Sequence, residues 1–95
     1  MLISKGFSNG DIISMKLING EELIARFEED MSDEIKISKP LCVTLQGQNL
    51  GMMPWMFLGN SKEVSIKKSH IFATMPCKKD AGLQYRENTT DLQLV

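Results

Sequence analysis

This sequence has no long hydrophobic run and little cysteine or histidine: its 95 residues include 2 Cys and 1 His. No stretch approaches the roughly 20 consecutive apolar residues of a membrane-spanning helix, so we expect no membrane partner. The opening MLISKGFSNG also lacks the apolar segment that a secretory signal requires. Together these absences predict a cytoplasmic protein.

The two cysteines and the single histidine leave little material for a metal site or a catalytic centre. Cys42 and Cys77 lie too far apart for a CxxC metal pair and are too few for a disulfide framework, so we expect reduced thiols. His70 has no second histidine to share a metal with and no partner in a recognisable triad. No nucleophile or phosphate-loop motif is present. The sequence therefore predicts no enzyme, no metal and no cofactor.

Neither sign of charge is in excess, but the charges are unevenly distributed. The net charge of −1 excludes the strong overall basicity of a dedicated nucleic-acid-binding domain. Residues 21–34 nevertheless hold seven acidic side chains against Arg26 alone, whereas residues 62–79 hold five lysines against Glu63 alone. A basic patch in the second segment would be multiplied if the chain assembled into an oligomer.

Apolar and polar residues alternate on both sides of Asn19-Gly20, which predicts a β-hairpin. The apolar positions of the shared face are Ile13, Met15 and Leu17 before the turn and Leu23, Ala25 and Phe27 after it. Asn-Gly is the strongest signal for a two-residue loop, because both central residues of a type I′ turn need positive φ.

Further short strands follow the hairpin. The next stretch has apolar residues of one parity, interrupted by Lys39-Pro40, which predicts a long strand bent in the middle. These apolar residues are Ile35, Ile37, Leu41, Val43 and Leu45. The segment LGMMPWMFLG is apolar at nearly every position, and Pro54 within it favours an edge strand. Two more alternating stretches lie at 64–66 and 71–75.

These segments predict a mainly β fold of five or so short strands, a small β-barrel. Residues 11–76 would form the barrel, residues 1–10 a lead-in, and residues 77–95 a tail or a short C-terminal helix. Leu83 and its polar neighbours favour that helix, whereas Gly82 and two adjacent threonines argue against it.

The hairpin and a second, later segment together resemble the two motifs of Sm-like proteins. The hairpin reads Met15-x-Leu17-x-x-Gly20-x-x-Leu23-x-Ala25-x-Phe27, which is similar to the first motif, with alanine where the family has a second glycine. The stretch IKKSHIFA is similar to the second motif, Ile-Arg-Gly-x-Asn-Ile followed by apolar residues. Lys67 and Lys68 take the places of its arginine and glycine. The chain thus resembles a divergent member of the Sm/LSm family. This resemblance implies a small and strongly bent five-stranded antiparallel barrel of the Sm-like or SH3-like kind.

The resemblance implies a ring of identical barrels, in which the strand ahead of the second-motif loop pairs with a neighbour's last strand. It also implies that the two motif loops lie side by side at a central pore and bind single-stranded RNA there. The residues assigned to RNA contact are Lys67, Lys68, His70 and, in place of the family's asparagine, Lys36. The apolar residues expected at the subunit interface are Met52, Met53, Trp55, Phe57, Ile71 and Ala73.

Two interpretations of the lysines remain open. In the first, Lys67 and Lys68 capture RNA at the pore, and Lys36 and His70 contact sugar or base. His70 either stacks on a base or is only a loop residue that sets the local geometry. In the second, Asp33 and Glu34 neutralise these lysines and leave only solvated ion pairs. The ring would then be an interaction scaffold that has lost RNA binding.

Overall fold

Residues 6–94, which the computed structural model describes, form six antiparallel β-strands in one open sheet and one C-terminal α-helix; side chains are described for residues 6–89. The strands are β1 (Ile12–Leu17), β2 (Glu22–Asp30), β3 (Glu34–Gln46), β4 (Asn49–Pro54), β5 (Glu63–Lys67) and β6 (Ile71–Pro76). A 3-10 turn, Lys68–His70, joins β5 to β6, and the helix α1 spans Lys79–Leu94. Residues 1–5 of the predicted lead-in and residue 95 of the predicted tail lie outside the described residues.

The mainly β, antiparallel fold with a C-terminal helix is confirmed, but the sheet is open and is not the closed five-stranded barrel that the sequence predicts. Its order is β4-β3-β2-β1-β6, with β5 paired to β3 beside this path. Strand β3 is 13 residues long, and it pairs with β5 through residues 34–38 and with β4 through residues 41–46. Strand β4 ends at Pro54, whose nitrogen carries no hydrogen for a further ladder bond. The apolar segment after Pro54 is therefore a loop, and β4 and β5 count as separate strands.

The first hairpin has the predicted strands but a different turn. The Leu17 N–H donates to the Glu21 C=O at 2.8 Å, and the Gly20 N–H donates to the Leu17 C=O at 2.9 Å. Gly20 has a φ of 96°, whereas Asn19 stays out of the positive-φ region. This is a three-residue loop with a left-handed glycine at its end, not the two-residue type I′ turn that Asn-Gly predicts. The Asn19 side chain instead accepts a hydrogen bond of 2.9 Å from the Glu21 N–H.

The predicted interruption of the long strand is present at Lys39, which has a φ of 50°. A non-glycine residue in this region costs on the order of 1 kcal/mol. The register against β2 slips by one residue here, since Ser38 faces Arg26 but Leu41 faces Ile24. The slip moves the side chains that follow to the opposite face of the sheet.

The bend gives the sheet a hydrophobic cluster on each face. The main core consists of Ile13, Met15, Leu17, Leu23, Ala25, Phe27, Ile37 and Ile66. The second cluster lies under α1 and consists of Ile24, Leu41 and Tyr85, surrounded by half-buried apolar residues. Tyr85 is 2% exposed, and its hydroxyl donates to the C=O groups of Lys39 at 2.8 Å and of Ser38 at 3.1 Å. The helix therefore packs directly on the bend of β3.

Candidate functional site

The loop between β5 and β6 lies directly against the loop between β2 and β3. The Lys68 N–H donates a hydrogen bond to the Asp33 C=O at 2.8 Å. On the other side, the His70 C=O accepts a hydrogen bond of 3.0 Å from the Ile18 N–H at the tip of the first hairpin. The four residues predicted to contact RNA lie in these two loops or at the ends of the strands beside them. We call this group the lysine cluster: Lys36, Lys67, Lys68 and His70.

Two of the three lysines in the lysine cluster form ion pairs within the chain. Lys68 Nζ lies 2.7 Å from Asp30 Oδ1, and Lys36 Nζ lies 3.7 Å from Glu29 Oε1. The two lysines and their two acidic partners each keep about a third or more of their side-chain surface exposed. Pairs in this setting contribute about 0–1 kcal/mol each, so a competing anion could displace either carboxylate at little cost.

Lys67 differs from the other two lysines. It is exposed, and it has no salt-bridge partner among the side chains of residues 6–89. Asp33 and Glu34, which the sequence suggested as neutralising acids, form no salt bridge within the same range. Lys68 has no positive φ, so its backbone carries no strain of that kind.

Three of the predicted interface residues are half-buried inside this chain. Met52 packs against the second cluster, where its sulfur lies 3.7 Å from Asn88 Nδ2. Trp55 and Ile71 pack against the main core, and the indole N–H of Trp55 donates to Glu21 Oε1 at 3.2 Å. Each of these side chains already has contacts within one copy of the chain.

The other predicted interface residues are exposed, and two further candidates join them. Phe57 is 72% exposed and Met53 is 49% exposed, while Ala73 lies exposed on β6. On the same strand Phe72 is 78% exposed and Met75 is 59% exposed. Phe72 is an extra residue in the pairing of β6 with β1, where Leu17 faces Ile71 and Lys16 faces Ala73. Ile71 and Ala73 therefore lie on opposite faces of the sheet, and the alternation in the sequence did not reveal that Phe72 is exposed.

Glu28 makes more side-chain hydrogen bonds and ion pairs than any other acid among residues 6–89. Its carboxylate accepts hydrogen bonds from Ser38 Oγ at 2.5 Å and from Asn9 Nδ2 at 3.0 Å, and it lies 3.4 Å from Arg26 Nε. The Ser38 hydrogen bond, followed by those of Asn9 and the charge of Arg26, holds the pKa of Glu28 below its ordinary value despite burial. Through these hydrogen bonds Glu28 of β2 connects to Asn9 of the lead-in and to Ser38 of β3.

The lowered pKa of Glu28 predicts a component of acid sensitivity. Its stabilising effect should be complete above the ordinary pKa of 4.5 and disappear as the pH falls through the lower folded-state value. Glu28→Gln is therefore expected to lower the free energy of unfolding by roughly 1 kcal/mol at neutral pH. In this variant the free energy of unfolding should also fall less steeply as the pH is lowered. Urea denaturation between about pH 7 and pH 3 measures both effects. Glu29→Gln is the control, since that carboxylate is 61% exposed; a Glu28→Gln curve parallel to wild type would contradict the assignment.

Other ligand chemistry finds little support in the described residues. Among the side chains of residues 6–89, no three of His, Cys, Asp or Glu converge as a metal site would require. Cys42 and Cys77 are free, and burial raises the pKa of both thiols, which lowers their reactivity. No helix in the described range is long and apolar enough to cross a membrane.

Comparison of the chain with protein-family models finds no match, and comparison with curated proteins finds none either.

Proposed function

We propose that this chain is a divergent Sm-like protein whose copies assemble into a closed ring. Three features support the proposal: the strand order, the long bent β3, and the contact between the loops that correspond to the two motifs. In Sm-like proteins these loops lie side by side, and here the Lys68 N–H bonds to the Asp33 C=O.

The observation that carries the proposal is that β5 and β6 each have an unpaired edge. In the described part of the chain, β5 pairs only with β3, and β6 pairs only with β1. Unpaired edges recruit other strands unless they are protected, and β6 carries the exposed Phe72 and Met75. In the family the strand ahead of the second-motif loop pairs with a neighbour's last strand, which corresponds here to β5 with β6. Head-to-tail pairing of this kind closes into a ring when the rotation between neighbours permits.

Light scattering coupled to size-exclusion chromatography tests the assembly directly. We expect one sharp species whose mass is a whole multiple of the 10.7 kDa chain and does not change on dilution through the micromolar range. A monomer at tens of micromolar protein would overturn the ring.

We propose single-stranded RNA binding at the lysine cluster as a second candidate function. Lys67 is exposed at the end of β5 and His70 in the turn that follows it, and a ring would repeat them around its axis. Against this, Glu29, Asp30, Asp33 and Glu34 outnumber the three lysines of the cluster in each copy. RNA phosphates would have to displace Glu29 and Asp30, whereas an interaction scaffold without RNA needs no such exchange.

The RNA proposal predicts salt-sensitive binding that depends on Lys67. Labelled oligouridine is titrated with protein and followed by fluorescence anisotropy, at low and at near-physiological salt. We expect affinity to fall steeply with salt, because phosphate binding releases counterions. Lys67→Glu should weaken it about tenfold or more, whereas Lys79→Glu, the same charge change on α1, should not. Absence of binding at low salt would leave the scaffold as the function of the ring.

A further inference from the structure

We propose that the cleft between α1 and the bend of β3 binds a phosphate group, held by Arg26, Lys39 and Arg86. The cleft is distinct from the lysine cluster, and the proposal does not depend on ring formation. Its ligand would be a nucleotide phosphate, either of a free nucleotide or of a nucleic-acid chain.

The cleft is an open pocket of about 370 Å³. Arg26 of β2, Lys39 of β3 and Arg86 of α1 line it, together with Tyr85 and Thr89. Its volume falls at the lower end of the range for small-molecule pockets, about 300–1,000 Å³. Because its three cations come from three different elements, folding of the chain gathers them at one place.

Positive charge in the cleft is only partly balanced. Glu28 lies 3.4 Å from Arg26, but its two oxygens also accept hydrogen bonds from Ser38 and Asn9. Neither Lys39 nor Arg86 forms a salt bridge with the side chains of residues 6–89. Burial, and then the charges of Lys62 and Arg26, hold the pKa of Lys39 below its ordinary value. A bound anion would relieve this repulsion.

The backbone at Lys39 adds an independent observation. The bend places this residue at a φ of 50°, a conformation that glycine adopts without strain. The Lys39 C=O accepts from the Tyr85 hydroxyl, and its N–H donates to the Lys62 C=O at 2.7 Å, so the conformation is held from both sides. A purely structural bend would be satisfied by glycine, whereas here a lysine occupies the bend and lines the cleft. Strain retained at a charged position is a feature of ligand sites.

The side chains in the cleft suit phosphate chemistry. Two guanidinium groups can each present a planar fork to phosphate oxygens, and the lysine ammonium adds a point charge. We expect the cleft to bind phosphate more tightly than a carboxylate, because the three cations that line it match the higher charge of phosphate. No bond is formed or broken, so the site would bind its ligand without transforming it.

Lys39→Gly separates a ligand role from a structural role. Glycine relieves the strain at the bend, so the variant should be at least as stable as wild type in urea denaturation. At the same time its affinity for phosphate should fall about tenfold or more. Arg86→Gln, at an exposed position on α1, is the second variant and should weaken binding similarly. Lys79→Gln is the control, since it removes one charge from the same helix outside the cleft.

The probes are inorganic phosphate, adenosine monophosphate and a short oligonucleotide, each titrated into the full chain at low salt by isothermal calorimetry and NMR. Binding of the small probes that is lost in Lys39→Gly and Arg86→Gln supports a free-nucleotide site. Binding of the oligonucleotide alone, lost in the same two variants and kept in Lys67→Glu, supports a nucleic-acid chain as the source of the phosphate. The proposal is overturned if no probe binds or if Lys39→Gly binds every probe as wild type does. Light scattering of the same samples reports ring formation separately.

Discussion

Replacing Tyr85 with alanine is expected to lower the free energy of unfolding by about 3–5 kcal/mol, the usual cost of removing a buried aromatic side chain. Tyr85 is the largest of the fully buried side chains in the described residues, and it joins α1 to Ile24 and Leu41 on the sheet. Its loss would leave a cavity in the second cluster and detach the helix from the bend of β3. Urea denaturation followed by circular dichroism measures the change.

Two further variants divide the effect of Tyr85 into its parts. Tyr85→Phe keeps the ring but leaves the C=O groups of Ser38 and Lys39 without their donor, which should cost about 1–2 kcal/mol. Leu83→Ala changes the same helix at a side chain that is 57% exposed, and it should change stability by less than about 0.5 kcal/mol. Equal stabilities for Tyr85→Ala and Leu83→Ala would mean that α1 does not pack on the sheet in solution.

The combined substitution Phe72→Lys and Met75→Lys is expected to dissociate the proposed ring into 10.7 kDa monomers. Both side chains are exposed on the free edge strand β6, so pairing with β5 of a neighbour would bury them. Lysine at an edge blocks strand addition, and removing central apolar contacts weakens an interface by 2 kcal/mol or more per anchor, which is about 30-fold in affinity. Mass by light scattering at several protein concentrations measures the result.

The folded state of the monomer provides the control for this experiment. Since Phe72 and Met75 have few contacts within one chain, the circular dichroism spectrum of the double variant should match that of wild type. Leu83→Lys places the same charge at an exposed leucine of α1, which is on neither β5 nor β6, and it should keep the wild-type mass. A double variant that retains the wild-type mass would show that assembly, if present, uses another surface.

Alternation of apolar residues predicts the strands well where the ladder is regular. Between Ile13 and Leu23 the β1–β2 register runs without a slip, and the side chains predicted to face inward are buried. The period of two residues then translates directly into one face of the sheet. The same regularity explains why the sequence could predict a mainly β, antiparallel fold.

Bulges are the reason that the remaining faces could not be predicted. One extra residue at Lys39 and another at Phe72 each reverse the parity of the strand that follows, and alternation alone does not reveal where a bulge falls. Leu41 and Val43 consequently lie under α1, although their parity matches that of the core residue Ile37. The cleft beside α1 could not be predicted from the sequence either. Its three cations, Arg26, Lys39 and Arg86, are distant in sequence, and only the fold brings them to one place.

The pairing of β1 with β6 also has a kinetic consequence. It joins Ile13 to Pro76, nearly the full length of the domain, whereas β1 and β2 pair across a three-residue loop. Closing a long loop carries the larger entropic cost, so such contacts form late in folding and slow it. Strand β6 would therefore be completed after the local hairpins, and a chain still folding would lack the edge through which it joins a neighbour. Assembly would in this way be confined to finished subunits.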